Sequence, residues 1–272
     1  MSQGADKDAD APPILADKAY GAESVFRPES LLREARRQKG VDAASVPSVC
    51  VLDPDGDMVR TLRRDGRVER DAAWACYHTD LYTFRHGGTE FGLVGCAVGA
   101  SFAVLIAEEL FACGCRLLVS ITSAGQLTTT REPPYFVLID RALRDEGTSY
   151  HYLPASPFSH ADSALVANIE AGTAALETQV IRGAVWTTDA PFRETREAIE
   201  SAKAQGCLAV EMEAAALYAF AQARGKPVVC FAHVTNRMGQ IEGDFEKGLA
   251  DGTAASLEVV TAAAQAASLT KL

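Results

Sequence analysis

The chain has 272 residues, of which 48% are hydrophobic, and its formal net charge is −10 at pH 7. A chain of this length can bury about three quarters of its unfolded surface, so a large folded core is expected. The acidic balance, without any block of about five or six basic residues, argues against a nucleic-acid partner bound through phosphates. No apolar run reaches the ~18 residues that a membrane span needs, so we expect a cytoplasmic protein with no membrane partner.

The first 22 residues differ in composition from the rest of the chain. They are rich in Asp, Ala and Pro and offer few side chains to bury. We therefore predict a flexible N-terminal arm over residues 1–22 and a single domain over residues 23–272. Within that domain, residues 28–37 are predicted to form a short helix and the apolar run 46–52 the first strand.

An acidic turn, Asp53-Pro54-Asp55-Gly56-Asp57, follows the first strand. Its proline and glycine favour a turn. Three aspartates can bind a cation, but the Glu that completes a calcium-binding loop is missing, so solvated turn residues are the favoured interpretation and no metal site is expected. A helix over residues 58–64 is predicted next.

A hairpin and a glycine turn follow. Residues 74–84 and 90–98 have strand-like patterns on either side of Gly87-Gly88, which favours a β-hairpin. Gly99-Ala100-Ser101 then leads into an apolar helix that runs to Phe111, with Ser101 as its predicted N-cap. Such a turn at a helix N-terminus can hold an anion, but it also serves simply to pack a helix on a strand.

The predicted strand over residues 116–121 ends in a polar segment, Thr122-Ser123-Ala124-Gly125-Gln126. Its two hydroxyl groups, with Gly125 adding no bulk, can hold phosphate or sugar oxygens. An ordinary polar turn explains the pattern equally well. Residues 135–140 are predicted as the next strand, and residues 144–154 form a polar, aromatic segment that is too long to be only a turn.

The remaining elements continue to alternate between helix and strand. Asp162 is the predicted N-cap of a helix over residues 163–175. Strands are predicted over residues 180–187 and 227–234, and a last helix over residues 253–267. This alternation predicts an α/β domain with a mixed, largely parallel central sheet flanked by helices.

The number and placement of the cysteines are not typical of disulfide bonds. There are seven, an odd number. Cys50, Cys96, Cys207 and Cys230 lie within apolar, strand-like runs. This placement indicates reduced, buried thiols rather than a disulfide framework.

A pair of carboxylates stands between a short apolar run and an Ala-rich helix. Glu211 and Glu213 follow residues 207–210, and Gly225 is a natural stop for the helix. Acids in the first turn of a helix often serve only its macrodipole. However, ligands of open α/β sheets bind beyond the carboxyl ends of the strands, where a carboxylate can accept hydrogen bonds from sugar hydroxyls.

Three segments resemble the nucleoside phosphorylase superfamily, and its uridine phosphorylase branch most of all. Residues 210–215, Val-Glu-Met-Glu-Ala-Ala, match the family's E-M-E signature. Residues 145–154 resemble the insert that follows the central strand in uridine phosphorylases. Residues 234–237 resemble the end of their last strand, where an arginine contacts a pyrimidine carbonyl. The likeness extends from about residue 46 to residue 267 and implies a nucleoside phosphorylase-like fold.

The resemblance also implies roles for individual residues. Glu213 would accept hydrogen bonds from the ribose 2′- and 3′-hydroxyls, Met212 would line the sugar and Glu211 would support the base site. Thr122 and Ser123 would hold the nucleophile.

The residues implied to contact the base, and to stabilise the negative charge that it takes on as it leaves, lie at the ends of two other strands. Asp189 follows the strand whose end covers the base, Phe192 could stack on it, and Arg193 or Arg196 could read it. Arg237 would stabilise negative charge on the base. The neighbouring residue is Asn236, where purine-specific members have an acid, so a pyrimidine or 6-oxopurine base is favoured.

The acceptor site departs from the family pattern. The family's phosphate-binding glycine and arginines are replaced by Pro54, Met58, Val119 and Thr79. Loss of three bidentate arginine contacts would weaken phosphate binding by several kcal/mol. The candidate substitutes are Arg60, Arg64, Arg85 and His78.

The resemblance implies a nucleoside phosphorylase that uses phosphate as co-substrate, has no cofactor, and yields free base and ribose 1-phosphate. If the arginines are truly absent, water becomes the nucleophile and Asp189, Asp55 or His78 the general base. A nucleoside-binding protein without activity is the third hypothesis. The family assembles as dimers or hexamers with active sites completed by a neighbour, so we expect a homo-oligomer.

Overall fold

The computed structural model describes residues 12–129, 131–239 and 242–268. About half of the predicted N-terminal arm therefore lies outside the described residues. Its described part, residues 12–22, consists of turns in which most residues are exposed. The helices and strands of the fold lie in the domain that follows.

The helices lie on both faces of a central sheet. In the described residues they are α1 (Pro28–Lys39), α2 (Asp57–Arg64), α3 (Ala100–Ala112), α4 (Ser163–Thr173), α5 (Arg196–Ala204), α6 (Ala214–Arg224) and α7 (Thr253–Ser268). The strands are β1 (Val49–Asp53), β2 (Glu69–Arg70), β3 (Tyr82–His86), β4 (Thr89–Gly95), β5 (Leu117–Gln126), β6 (Tyr135–Asp145), β7 (Phe158–His160), β8 (Val180–Thr188), β9 (Cys207–Glu211) and β10 (Val228–Asn236).

Five of the strands close into a ring. In order they are β5, β10, β6, β8 and β9, and β9 pairs again with β5. The long ladders β5/β10 and β6/β8 are parallel, whereas β9 closes on β5 through only two antiparallel residue pairs. Strands β1, β4, β3 and β2 extend the sheet outward from β5. The predicted α/β class with a mixed central sheet flanked by helices is confirmed.

Alternation along β5 divides the core into two layers. Leu118 and Ala124 point to a cluster that includes residues of α1, α3 and α6. Leu117, Val119 and Ile121 point to the opposite cluster, which includes residues of α2, α4 and α7. Successive side chains of a strand face opposite sides, so β5 is covered by helices on both faces.

The parallel strands determine where a site can form. The carboxyl ends of β1, β4, β5 and β10 lie on the same side because β1 runs parallel to β4 and β5, and β5 parallel to β10. Ligands of such sheets bind beyond these ends. The polar residues that follow or end these strands therefore converge.

Two of the predicted helix ends are confirmed. The Asp162 side chain accepts a hydrogen bond from the backbone N–H of Leu165 at 2.8 Å, as an N-cap does. Gly225 ends α6 in the left-handed conformation, with φ 61°.

Other local predictions are corrected by the structure. The N-cap of α3 is Gly99 and not Ser101, and no side chain caps that helix. Regular strand structure between residues 74 and 84 begins only at Tyr82. β5 continues through the polar segment to Gln126, because β10 and β9 pair with it there. Cys96 is exposed, since the chain turns at this residue with φ 64° after β4 has ended.

A buried tyrosine connects α6 to the ring. The Tyr218 hydroxyl donates to the carbonyl oxygen of Ile139 at 2.6 Å and accepts from the N–H of Cys230 at 3.0 Å. Tyr218 is fully buried. The position of α6, which begins beside Glu213, is thereby tied to β6 and β10.

We expect Tyr218→Phe to lower the free energy of unfolding by about 1–3 kcal/mol, because it removes both hydrogen bonds inside the core. Denaturant unfolding followed by fluorescence measures this change. Tyr77→Phe is the matched control: the Tyr77 hydroxyl bonds Gln38 on the surface, so a loss of less than about 0.5 kcal/mol is expected. Equal losses in the two variants would contradict the role of Tyr218.

Candidate active site

Glu211 caps the start of α6. Its Oε2 accepts hydrogen bonds from the N–H groups of Glu213 at 2.7 Å and Ala214 at 2.8 Å. Its Oε1 accepts from the hydroxyl of Thr187, which in turn accepts from the N–H of Ala215 at 3.0 Å. Both carboxylate oxygens are therefore bonded within the protein. The structure assigns Glu211 to the helix terminus and leaves it no free oxygen for a base.

Glu213 has the opposite character. Only 1% of the residue is exposed, and its Oε1 accepts from the N–H of Gly99 at 2.6 Å. The nearby Thr122 side chain favours the charged form of this carboxyl group and so acts to lower its pKa. Its Oε2 has no partner in the part of the chain that the structure describes. One buried carboxylate oxygen is thus left for a ligand.

The backbone donor to Glu213 was not assigned by sequence reasoning. Gly99 has φ 94°, a value that side chains disfavour. The glycine turn before α3, which was one of the candidate anion seats, therefore directs its N–H to a carboxylate of the protein itself.

Burial raises the pKa of the Glu213 carboxyl above its ordinary range, and the neighbouring Glu211 carboxylate raises it further. Burial also raises the pKa of Glu211, although hydrogen bonds from Thr187 and the α6 backbone oppose this effect. The two acids interact and titrate as a pair. Desolvation is the dominant cause for both.

An acidic cavity adjoins Thr122 on the side away from α6. The residues that line it are Asp53, Asp55, Asp57, Met58, Ile121, Thr122, Ser123, His233, Asp251 and Ser256. None of these described lining residues is a lysine or an arginine. The cavity is therefore surrounded by carboxylates on the side where the nucleophile was expected.

Two of these aspartates hold backbone groups. Asp55 Oδ2 accepts from the N–H of Ser123 at 2.6 Å, and this bond connects the turn after β1 to β5. Asp53 Oδ2 accepts from the N–H of Val59 at 3.0 Å, and burial raises the pKa of Asp53 to about 7. The N–H of Ser123 could donate a hydrogen bond to a bound anion, but it already donates to the Asp55 carboxylate.

His233 forms an uncharged wall of this cavity. Its ring stacks on Phe136 with the centroids 4.3 Å apart. Burial lowers the pKa of His233 to about 4, and the nearby ammonium of Lys247 acts in the same direction. The ring is neutral at pH 7 and adds no positive charge.

The ends of β10 and β5 lie side by side, with Asn236 paired to Gly125. The Oδ1 of Asn236 accepts from the N–H of Met238 at 2.9 Å, and its Nδ2 lies 3.2 Å from the Thr235 hydroxyl. This network orients the amide so that Nδ2 is the donor. A Cβ on Gly125 would lie 2.5 Å from Met238 Sδ, so the glycine lets the Met238 side chain pack closely against β5.

The segment after β8 is separate from the buried centre. Asp189 Oδ2 accepts from the N–H of Gly147 at 2.8 Å, and Asp189 is exposed. Phe192 is 100% exposed, and Arg193 beside it is also exposed. Met212 is half-buried. Neither Phe192 nor Arg193 contacts the Glu213 site as the structure stands.

Arg237 and His78 do not join the site. Arg237 forms an ion pair with Glu132 on the surface, and its backbone N–H donates to Oδ2 of Asp244 at 2.9 Å. His78 is exposed and lies edge-on to Phe102 of α3, with ring centroids 6.3 Å apart. The Arg237 guanidinium is held by Glu132, and its contact with a base stays a prediction.

The long polar segment after β6 is organised around a buried arginine. Arg144 donates to the Ser149 hydroxyl at 2.8 Å and to the carbonyl oxygens of Pro154 and Leu153 at 2.7 and 3.1 Å. It also lies over the Tyr150 ring, 4.3 Å from the centroid. Sequence reasoning assigned no role to Arg144, and its bonds indicate a structural one.

The proposed substitute arginines differ in position. Arg64 pairs with Asp65 and Arg85 with Glu90, all on the surface. Arg60 pairs with Asp57 at 2.6 Å and therefore borders the acidic cavity. Among the sequence-proposed substitutes, Arg60 is the one close to the expected acceptor side.

A sequence model of the Phosphorylase superfamily matches residues 48–270. The chain belongs to this superfamily. A superfamily relative, guanosine phosphorylase of Halorubrum lacusprofundi, is 28% identical over 196 residues, which cover 67% of this chain and 79% of the relative.

Solved structures agree with the superfamily fold. Uridine phosphorylase of Vibrio fischeri ES114 matches with a TM-score of 0.66 and 22% identity, over 84% of this chain and 93% of that one. The 5′-methylthioadenosine/S-adenosyl homocysteine nucleosidase of Campylobacter jejuni matches with a TM-score of 0.63 and 15% identity, over 83% and 100%. These likenesses establish the fold.

No helix within residues 12–129, 131–239 and 242–268 is long and apolar enough to cross a membrane. The same described residues contain no group of three or more His, Cys, Asp or Glu side chains placed to hold a metal ion.

The raised pKa of Glu213 makes stability depend on pH. A carboxyl group with a higher pKa in the folded state binds its proton more tightly there. Its contribution to stability is complete below the ordinary value of 4.5 and is lost as the pH rises through the raised value. We expect the free energy of unfolding of the unliganded protein to fall between about pH 5 and pH 8, and to fall less in Glu213→Gln.

Urea unfolding at a series of pH values measures this dependence. Glu90→Gln is the control, because Glu90 makes only a surface pair with Arg85, and its profile should run parallel to that of the wild type. A Glu213→Gln profile that also runs parallel to the wild type would contradict the assigned pKa direction.

Proposed function

We propose that the protein cleaves the N-glycosidic bond of a nucleoside, with the ribose held by Glu213 and water as the nucleophile. The observation that carries this proposal is the hydrogen bond between Asp55 and the N–H of Ser123. It puts a carboxylate at the strand end where a phosphorylase would hold phosphate. The enzyme is then a nucleoside hydrolase built on the phosphorylase fold.

The ribose side rests on the free oxygen of Glu213. A buried carboxylate oxygen without a partner is costly, and a ligand hydroxyl that donates to it restores the missing hydrogen bond. Gly99 holds the other oxygen and so fixes the direction of the free one. A sugar with adjacent hydroxyl groups supplies suitable donors.

The base side favours a base with an acceptor group. Because the Met238 N–H binds Oδ1 of Asn236, the donors of the amide are on Nδ2. They bond the Thr235 hydroxyl at 3.2 Å and the Ala124 carbonyl oxygen at 3.5 Å, so an acceptor on the base would replace the longer of these two bonds. A carbonyl oxygen, as in a 6-oxopurine or a pyrimidine, accepts such a hydrogen bond, and an anionic leaving base accepts it more strongly. The guanosine phosphorylase relative is consistent with a 6-oxopurine.

The charge of the acceptor cavity favours water over phosphate. Asp53, Asp55 and Asp57 line it, and no described lining residue is cationic. Phosphate carries nearly two negative charges at neutral pH and is repelled by the Asp55 carboxylate, while Asp53, whose pKa is raised to about 7, adds only part of a charge. Water has no such penalty and accepts and donates hydrogen bonds to carboxylates and hydroxyls alike.

The reaction then follows from the positions of these groups. As the bond between C1′ and the base nitrogen lengthens, its electron pair moves to the base, where the Asn236 amide stabilises the negative charge. Water attacks C1′ and transfers its proton to Asp55, and the released base takes up a proton from solvent. The products are free base and ribose. Of the three candidate general bases, Asp55 is the one that lines the cavity beside Thr122.

Phosphorolysis is the second candidate function. The guanosine phosphorylase relative favours it, as does the presence of Arg60 and Lys247 near the cavity. Both cations are paired with Asp57, however, so they are not available to phosphate in this arrangement. In this second function the products would be free base and ribose 1-phosphate.

Steady-state cleavage of guanosine, inosine and uridine, with and without phosphate, tests the proposal. We expect equal rates of base release in both conditions and ribose as the sugar product. Turnover that requires phosphate would establish phosphorolysis instead. Nucleoside binding in calorimetry without any base release would leave only a binding function.

We expect Asp55→Asn to reduce kcat by about 10²–10⁴-fold, because an amide cannot take the proton from water. The effect on KM for the nucleoside should be small, since Asp55 does not hold the sugar. Asp80→Asn is the matched control, because Asp80 pairs with Arg70 on the surface, and its kinetics should equal those of the wild type. Wild-type kcat in Asp55→Asn would rule out this general base.

A further inference from the structure

Asp57 is held between two cations at the edge of the acceptor cavity. Its Oδ1 accepts from Arg60 at 2.6 Å, and its Oδ2 forms an ion pair with Lys247. The Asp57 side chain is 17% exposed and the Lys247 side chain 27%. The carboxylate therefore lies where an oxyanion would be bound by an arginine and a lysine.

The loop that carries Lys247 is positioned by several contacts of its own. The N–H of Glu246 donates to the carbonyl oxygen of Thr235 at 2.8 Å, next to Asn236. The N–H of Gly248 donates to the Glu246 side chain at 2.8 Å. The loop then passes so close to His233 that a side chain at Gly252 would collide with the ring. These contacts bring Lys247 to Asp57, although the two residues lie far apart in the sequence.

The two cations reach the edge of this cavity through Asp57, to which both are paired, and neither is among its described lining residues. Asp57 itself lines the cavity together with Thr122 and Ser123. Without the negative charge of Asp57, Arg60 and Lys247 would be unpaired beside those hydroxyl groups. An arginine, a lysine and two hydroxyls are the groups that bind phosphate in proteins.

We infer that Asp57 determines the nucleophile, because its carboxylate occupies the anion position between Arg60 and Lys247 and so excludes inorganic phosphate. This inference rests on the proposed hydrolytic function. Phosphate can enter only by displacing Asp57, which would leave that carboxylate unpaired beside Asp53 and Asp55. Asp57 is thus a specificity-determining residue that touches neither the ribose nor the base.

The experiment compares phosphate dependence in the wild type and in Asp57→Asn. We expect base release by the wild type to be unaffected by millimolar inorganic phosphate. In Asp57→Asn, phosphate should stimulate base release by about tenfold or more, and part of the sugar product should be ribose 1-phosphate. Calorimetry with inorganic phosphate should detect binding to Asp57→Asn and none to the wild type.

Three further variants separate charge from structure. Asp65→Asn removes the same charge from the end of α2, where Asp65 pairs with Arg64 on the surface, and should remain insensitive to phosphate. Asp57→Glu keeps the charge and should exclude phosphate as the wild type does. Asp57→Asn combined with Lys247→Ala should lose the gained phosphate binding.

The possible outcomes separate this inference from the proposed function. A folded Asp57→Asn that still cleaves nucleoside but neither binds nor responds to phosphate would overturn the inference alone. A wild type that requires phosphate would overturn the proposed hydrolysis, and the inference with it. If Asp57→Asn does not fold, Asp57→Ser is measured in the same way, with thermal stabilisation by phosphate as the added readout.

Discussion

The site depends on the unequal use of two carboxylates at the start of α6. Unsatisfied N–H groups at a helix terminus need acceptors, and Oε2 of Glu211 accepts from two of them while its Oε1 holds the Thr187 hydroxyl that accepts from a third. Because that need is met, Glu213 can keep one buried oxygen without a partner. The spacing of one residue turns the two side chains to different environments. The two acids of the signature are therefore not equivalent, because one is bonded at both oxygens and the other keeps one oxygen without a partner.

The polar and charged groups around the acidic cavity beside Thr122 are also paired within the protein. Asp55 takes the N–H of Ser123, Asp53 takes that of Val59, and Asp57 takes both nearby cations. These two backbone N–H groups and these two cations, all of which could bind an external anion, are thus already bonded to carboxylates of the protein. In a partly buried region such interactions are only weakly screened, so this arrangement strongly affects which small molecules can enter.

Much of the fold follows from local patterns, whereas much of the site does not. The α/β alternation, the Asp162 cap and the Gly225 stop are all encoded within a few residues, and each is confirmed. Partners from distant segments could not be inferred in this way: Gly99 for Glu213, Lys247 for Asp57 and Glu132 for Arg237. Arg237 was assigned to the base from a local motif, and a side chain over 100 residues away in sequence decides its position. Local spacing determines elements, and packing between elements determines which polar atoms remain free.

The closure of the strand ring has a mechanical consequence. β9 joins β5 through only two residue pairs, Gly125 with Val210 and Gln126 with Ala209, whereas β5 and β10 share eight. The short ladder lies between the strand end that carries Thr122 and the one that leads to Glu211. The N–H groups of Leu127 and Thr128 add bonds to the Leu208 carbonyl oxygen, but this ladder is still the shortest of the ring, so the ring should open first along this seam. A molecule that contacts both strand ends would hold β5 and β9 together, and its binding would make the whole ring of five strands more rigid.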